Sequence, residues 1–491
     1  MYLYNSLTLK KEELPRPDPK AKDIRLFVCG PTVYDYPHIG NARTFMVFDI
    51  FARYLRSRGV KLFYLQNITD IDDKIINRAK EENTDWKTIS RRYEKIFKGD
   101  MKRLGITSVD KYARATDFIP QIVTQVKRLI EKKHAYLIEG DGYYFDLKTF
   151  PEYGKLAGRT IEQAEDATSR IDASSKKRNR GDFCLWKLSH ANSAPPPAGS
   201  GNANAPMRMA EPGWKSELGF GKPGWHIEDT AITEKFFGPQ YEIHGGALDL
   251  KFPHHEAEIA QQESASGLKP FVKIWMHAGF LFVGGKKMSK SLGNFVTIED
   301  FLQDSPPEIF RWMVLAHHYR SPMDYTPELV AQSRASLERI HQFIEKLSFA
   351  AQRQIADLRG PNADVRRRYD PTSSIAITEK KLHAAMDDDF NTPLAISHIF
   401  ELMLEFQEKI WQLDPNGAKT LAGFVESTLK MLGLSLKSPK IPRNVSLLVK
   451  RRETSRASQQ FIQSDALRKE ADALGFIIED TPIGPFLWPK S

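Results

Sequence analysis

Three short stretches of this 491-residue chain place chemically capable side chains at useful spacings. In Pro37-His38-Ile39-Gly40-Asn41 a histidine and a glycine stand just before an apolar run in which Phe45, Phe48, Phe51 and Leu55 recur at helical spacing. A helix starting there offers unpaired backbone N–H groups and the positive end of its dipole to an anion. Gly40 lets a phosphate come close and His38 adds a hydrogen bond, which suits a nucleoside triphosphate. Taken alone, a histidine and a glycine at a turn are more often structural. A second stretch, Lys286-Lys287-Met288-Ser289-Lys290-Ser291-Leu292-Gly293-Asn294, gathers cations, hydroxyls and glycine after a strand. Cations on a flexible loop follow negative charge as it builds on a phosphate during displacement. In a third, His254 and Glu258 are four apart, so a helix projects both from one face toward a shared cation.

These groups need a scaffold, and the sequence describes one. Residues 24–28 (IRLFV) read as a strand, residues 41–58 as a helix and residues 61–69 as a second strand, with a Cys29-Gly30-Pro31 turn between the first two. Strand, turn, helix and strand in so short a span predict a βαβ unit of a parallel sheet. Such a sheet binds ligands beyond the carboxyl ends of its strands, where Cys29, Gly30, His38 and Thr69 fall. Further strand signals come at residues 241–252 and 274–283. Between them and the first unit, residues 90–187 turn mixed and charged and interrupt the sheet. Residues 189–206 (SHANSAPPPAGSGNANAP) carry no large apolar side chain and predict a flexible surface loop. Beyond Pro306-Pro307 the strand signals fade. Val330, Leu337, Ile340, Ile344 and Leu347 then form one helical stripe, as do Ile396, Ile399, Phe400, Met403, Leu404 and Ile410, predicting a bundle. A basic segment with Lys450, Arg451, Arg452, Arg456, Arg468 and Lys469 closes the chain.

Composition narrows the class. Apolar residues are 41% and charged residues 27% of the chain, a globular balance that excludes wholesale disorder. No apolar run reaches the length of a membrane span and the first residues lack a secretory pattern, so a cytoplasmic location is expected. With only two cysteines, Cys29 and Cys184, no disulfide framework and no four-cysteine zinc site can form within the chain. A net charge of +9 permits an anionic partner without requiring one.

The His-Ile-Gly-Asn tetrapeptide and the Lys-Met-Ser-Lys-Ser loop together resemble the paired motifs of class I aminoacyl-tRNA synthetases. Five longer segments, FVCGPTVYDYPHIGNART, QNITDIDDKIINRA, GKPGWHIEDTAI, IHGGALDLKFPHHEAEIAQ and KKMSKSLGNF, resemble the cysteinyl-tRNA synthetase family in its own order and at similar separations. The resemblance implies an α/β fold: a doubly wound Rossmann-type parallel sheet split by a connective insertion, then an α-helical bundle and a small C-terminal anticodon-binding module. The segments that follow are 1–115 and 221–305 for the two halves of the sheet, the latter with the Lys-Met-Ser-Lys-Ser loop. The insertion takes 116–220, the bundle 306–435 and the last module 436–491.

The same resemblance supplies residues. In the family a zinc ion is held by two cysteines, a histidine and a glutamate, whose positions here are Cys29, Asp229, His254 and Glu258. The second cysteine has become aspartate. A carboxylate keeps the unit negative charge of a thiolate, and zinc accepts aspartate oxygens at about 2.0–2.2 Å against about 2.3 Å for sulfur, so the site is expected to bind zinc less tightly. The alternative is that Asp229 turns away to a neighbouring backbone group. Zinc would sense the substrate directly, because it prefers a thiolate over a hydroxyl, whereas a pocket that reads size alone rejects an isostere by only roughly 10- to 200-fold. By family position Cys29, Gly30, Thr69, Trp225 and His244 bind the amino acid, and His38, Gly40, Asn41, Lys287 and Lys290 serve ATP, with His38, Asn41, Lys287 and Lys290 catalytic. Asn41 stands where many synthetases carry a second histidine.

The implied activity is that of a cysteine–tRNA ligase: L-cysteine and Mg2+-ATP give cysteinyl-adenylate, which is passed to the 3′ end of tRNA(Cys) by a monomeric enzyme. Two alternatives share these residues, a ligase that gives cysteine to a small amine and a non-catalytic RNA-binding paralogue. The small-amine ligases lack an anticodon-binding end, so the region beyond residue 310 favours tRNA. Intact His38, Gly40, Lys290 and Ser291 speak against the paralogue.

Overall fold

The computed structural model describes residues 1–16, 22–159, 163, 176–189, 212–288, 292–352 and 369–490. The expected loop 189–206, apart from Ser189, and Lys290 therefore lie outside the described residues. The chain divides into two compact units, residues 1–326 with 387–391, and residues 327–386 with 392–491.

The first unit opens with a hairpin, β1 (Tyr2–Asn5) and β2 (Lys10–Glu13), ahead of β3 (Ile24–Val28). It continues through α1 (Ile39–Ser57), β4 (Leu62–Ile68), α2 (Asp73–Glu81), α3 (Trp86–Arg103) and β5 (Lys111–Arg114). After α4 (Ile119–Glu131), four antiparallel strands follow, β6 (Ala135–Ile138), β7 (Gly142–Phe145), β8 (Phe183–Leu188) and β9 (Gly221–Pro223). The chain then returns through α5 (Ile227–Phe237), β10 (Tyr241–Ala247), α6 (His254–Ser266) and β11 (Val272–Ala278).

The central sheet has the order β11-β10-β3-β4-β5, and every pair in it is parallel. Its first strand lies in the middle, with later strands added to one side and then to the other, which is the doubly wound arrangement. The order reverses between β3 and β10, and a ligand crevice opens at the carboxyl ends of two such strands. Every residue of β3 is buried, as a strand covered on both faces requires. Val28 pairs with Gly245 on one side and Gln66 on the other. Cys29 and Asn67, each the next residue along, thus reach the same edge of the sheet.

Helix α1 carries the predicted phosphate end and is buried nearly all round, beyond the expected apolar stripe. Its Asp49 is fully buried and accepts hydrogen bonds from the Thr107 and Ser108 backbone N–H groups, both at 2.9 Å, while Arg53 and Arg311 pair with it at 2.8 Å. A buried carboxylate is tolerated only with such a full set of partners. Arg311 belongs to the helix Pro307–Leu315. That helix, grouped with the bundle from the fading of strand signals, packs in the first unit because Asp49 needs its cation.

The insertion after β5 shares one apolar core with the sheet, in which Phe145, Phe183 and Trp186 join Phe27 and Tyr241. Cys184 packs in a separate small cluster with Tyr136, Ile138 and Tyr144. Residues 387–391 also belong with the first unit. Asp389 accepts from Tyr319 Oη and from Arg320 Nε, both at 2.8 Å, and Tyr54 Oη donates to Asp387 at 2.8 Å. These residues were expected within the bundle, and buried ion pairing draws them out of it.

In the second unit the long helix Pro327–Ala351 buries Leu337, Ile340, Ile344 and Leu347, as its periodicity predicts. Helices Thr392–Phe406 and Pro415–Met431 contribute further apolar faces. Helices Arg443–Ala457 and Phe461–Ala473 and the hairpin Phe476–Thr481 with Gly484–Pro489 end the chain. Arg452, one of the basic residues there, is fully buried and pairs with Asp480 at 2.7 Å, so it serves the fold. No helix among the described residues is long and apolar enough to cross a membrane.

A candidate active site with a buried ligand cluster

Helix α1 begins with a capping box. The Gly40 backbone N–H donates to His38 Nδ1 at 3.1 Å, and the His38 backbone N–H donates to Asn41 Oδ1 at 3.2 Å. With Nδ1 an acceptor, His38 carries its proton on Nε2 and holds it out as a donor. Burial lowers His38 to about 4, against the pull of Asp249, so this donor is neutral in ordinary buffers. Asn41 closes the box with its oxygen and keeps its NH2 group as a donor. That structural duty was not legible from its position in the sequence. Glycine is required at 40 because an added Cβ would lie 2.8 Å from His38 Nδ1 and 3.2 Å from Met288 Cε.

The loop bearing Lys287 is tied to the same helix end. The Ile39 N–H donates to Val296 O at 3.1 Å and the Ile298 N–H to Pro37 O at 3.0 Å, so the exit of the loop pairs with the histidine-glycine segment. Lys287 is exposed, with Nζ over the Phe280 ring at 5.3 Å. Between these parts lies a cleft of about 360 Å³. Of the predicted residues, Cys29, Gly30, His38, Gly40, Asn41, Trp225 and Lys287 line it. Asp249 lines it too and was not singled out in the sequence; its place just before the paired histidines was the available signal.

Beneath the cleft floor the predicted metal ligands converge. Cys29 Sγ, Asp229, His254 and Glu258 offer ligand atoms that all lie within 4.8 Å of one another, and all four residues are buried. His254 Nε2 is 3.0 Å from Asp229 Oδ2 and 2.9 Å from Glu258 Oε1. Helix α6 sets the last pair, at i and i+4, and the first turn of α5 brings Asp229. Asp229 does not turn away to the backbone: Asn67 donates to its Oδ1, and its Oδ2 faces His254. His254 Nδ1 lies 2.8 Å from His226 Nδ1, and the Trp225 ring stacks on His254 at 4.5 Å. A second donor set shares Cys29 and Glu258 but takes His244 and His255. Cys29 Sγ is 3.3 Å from His244 Nε2 and 3.2 Å from His255 Nε2. The sequence reading used the first histidine of the doublet and missed the second.

In the first donor set, three acid-forming groups surround the His254 imidazole. Burial and the Glu258 and Asp229 carboxylates push the Cys29 thiol well up, and burial raises Glu258 to about 7. Burial alone would pull His254 down, but Glu258 and Asp229 raise it to about 10. Such a cluster is short of positive charge. Glu258 Oε2 has no hydrogen-bond partner among the described residues, with His244 Nδ1 3.5 Å away. An orphaned buried carboxylate oxygen in a sulfur, nitrogen and oxygen donor set fits a zinc-type cation.

Two predicted substrate residues stand farther back. Thr69 is buried and donates to Glu228 Oε1 at 2.6 Å. His244 is fully buried, with Nδ1 2.7 Å from Tyr241 Oη and its ring stacked on Trp275 at 4.3 Å. Gly30 lines the cleft, but its N–H already donates to Asn67 Oδ1.

With this geometry in place, the comparisons with known proteins are specific. A family model for the catalytic domain of class I (C) tRNA synthetases matches residues 17–335, and a DALR domain model matches residues 381–437. The chain is 39% identical to the cysteine–tRNA ligase of Thermococcus onnurineus, over 99% of this chain and 98% of the relative. It is 37% identical to that of Caldicellulosiruptor saccharolyticus over the same shares. Among solved structures, Mycobacterium tuberculosis methionyl-tRNA synthetase bound by methionyl-adenylate shares the fold, with a TM-score of 0.59 and 14% identity over 84% of this chain and 92% of that one. A relative at 39% identity over 99% of the chain, together with the class I (C) catalytic match over residues 17–335, shows that this chain belongs to the cysteine–tRNA ligase family of class I aminoacyl-tRNA synthetases.

Proposed function

We propose that the cleft joins L-cysteine to tRNA(Cys) in two steps. In the first, the carboxylate of cysteine attacks the α-phosphorus of Mg2+-ATP, giving cysteinyl-adenylate and releasing pyrophosphate. In the second, a ribose hydroxyl at the 3′ end of the tRNA attacks the activated carbonyl and AMP leaves. No protein nucleophile is needed, so orientation and charge stabilisation carry the rate.

The residues divide the work. His38 holds a neutral Nε2–H donor toward the phosphates, and the Asn41 amide adds a second donor. The open N-terminus of α1 favours the negative charge. Lys287 brings a mobile cation that follows charge onto the leaving pyrophosphate, and Lys290 is assigned the same task from the same loop. Trp225 walls the amino acid, while Thr69 and His244 shape its pocket from behind through Glu228 and Cys29. Cys29, Asp229, His254 and Glu258 would hold zinc, which supplies a Lewis acid with a strong preference for a thiolate over a hydroxyl.

One observation carries this reading: Cys29 belongs both to the lining of the cleft and to the ligand cluster, which sets the cluster directly beside the cleft. The sheet halves at 1–115 and 221–305, the insertion at 116–220, the bundle, taken from residue 327 and without residues 387–391, and the terminal module at 436–491 are assigned as working parts of a monomer acting in the cytoplasm. The last two parts serve the tRNA. The DALR match at residues 381–437 favours tRNA over a small amine as acceptor. Cysteine-dependent exchange of pyrophosphate into ATP tests the first step, and charging of tRNA(Cys) tests the second. Exchange without charging would return the small-amine ligase, and absence of both would return the RNA-binding paralogue.

A further inference from the structure

An aspartate at a metal corner otherwise filled by a single sulfur poses a geometric problem. A carboxylate has two donor oxygens and reaches one atom farther than a thiolate. Left free to rotate, it can chelate with both oxygens and take up the position an incoming ligand needs. We propose that Asn67 is a positioning residue for the metal site, its amide holding the Asp229 carboxylate so that one oxygen alone faces His254 and the cation.

The contacts on Asn67 carry this. Asn67 is buried near the end of β4, beside the turn that follows β3. Its Nδ2 donates to Asp229 Oδ1 and also lies 3.3 Å from Thr69 Oγ1, while its Oδ1 accepts from the Gly30 backbone N–H. Asp229 Oδ2 is left 3.0 Å from His254 Nε2. One amide therefore grips two of the ligand-bearing segments at once, the turn beyond Cys29 and the first turn of α5. Partners of this kind orient ligating groups, and their loss typically weakens metal binding by about 10- to 100-fold.

The inference rests on the zinc reading above, and the test separates the two. Zinc dissociation constants are measured by competition with a chromophoric chelator for the full-length chain and for Asn67→Ala, Asp229→Cys and the double variant, each checked for folding by circular dichroism. Losing the Gly30 contact is common to both backgrounds and cancels in the cycle. Asn67→Ala is expected to weaken zinc by about 10- to 100-fold when Asp229 is present, and by about twofold or less beside Asp229→Cys. Cobalt loaded in place of zinc should lose its strong four-coordinate absorption in Asn67→Ala alone. Where Asn67→Ala does not fold, Asn67→Ser, whose hydroxyl is too short to reach Asp229, gives the same contrast. Equal weakening in both backgrounds, or none in either, overturns the positioning role while leaving the metal site standing. A full-length chain that takes up no zinc overturns the metal site and the positioning role together.

Discussion

The triphosphate side of the cleft is built from a helix end, the half-buried His38 and Asn41 and an exposed lysine, whereas its amino-acid side is built from buried side chains packed against one another. On the first side, a helix end supplies N–H donors, His38 caps it, and Lys287 waits on an exposed strand. On the second, Cys29, Asp229, His254 and Glu258 are nearly solvent-free and offer ligand atoms within 4.8 Å of one another. On the first side, the Asn41 amide oxygen closes the helix cap by accepting from the His38 backbone N–H; on the second, Asp229 Oδ1 accepts from Asn67 while its Oδ2 faces His254.

Perturbing each side should give different signatures. His254→Ala removes a ligand and the group that balances two carboxylates. Cysteine-dependent pyrophosphate exchange is expected to fall by about 10³-fold, ~4 kcal/mol of transition-state stabilisation, with metal content falling alongside; retained metal would break the comparison. Gly40→Ala drives a Cβ against His38 Nδ1 and should lower kcat by about 10²-fold while leaving bound metal unchanged. Loss of metal there would mean that the two sides are not independent. Lys287→Ala should lower kcat by about tenfold with KM for ATP little altered, as expected when an interaction forms mainly in the transition state. An equal rise in KM would make it a ground-state contact.

The smallest effect concerns pH. Burial holds folded His38 near 4, below the ordinary 6.5, so its contribution to stability is complete above about pH 6.5 and is lost as pH falls toward 4. The imidazole is then a neutral donor through the neutral range. A ring-proton NMR titration of His38 should show a midpoint near 4, and a midpoint at or above 6.5 would contradict the capping tautomer.

Much of this was legible in the residues themselves. The strand at Ile24–Val28 is apolar but for Arg25 and ends in a Cys-Gly-Pro turn, and the structure keeps those bounds. His254 and Glu258 announce a shared face because a helix fixes the i to i+4 distance. Long-range pairing was harder to see. The burial of Thr69 beneath Glu228, the contact of His255 with Cys29 and the return of Asp389 to Arg320 each join residues far apart in the chain. No local periodicity encodes such partners. Asn67 sits inside an ordinary strand pattern, and only the arrival of α5 gives it Asp229.

The most direct test of the account is zinc content together with discrimination between cysteine and serine, in the purified full-length chain and in Asp229→Ala. The account predicts about one zinc per chain and a preference well above the roughly 200-fold that a pocket reading size alone can reach, with both falling in Asp229→Ala. Unchanged zinc and unchanged rejection of serine in that variant would contradict it.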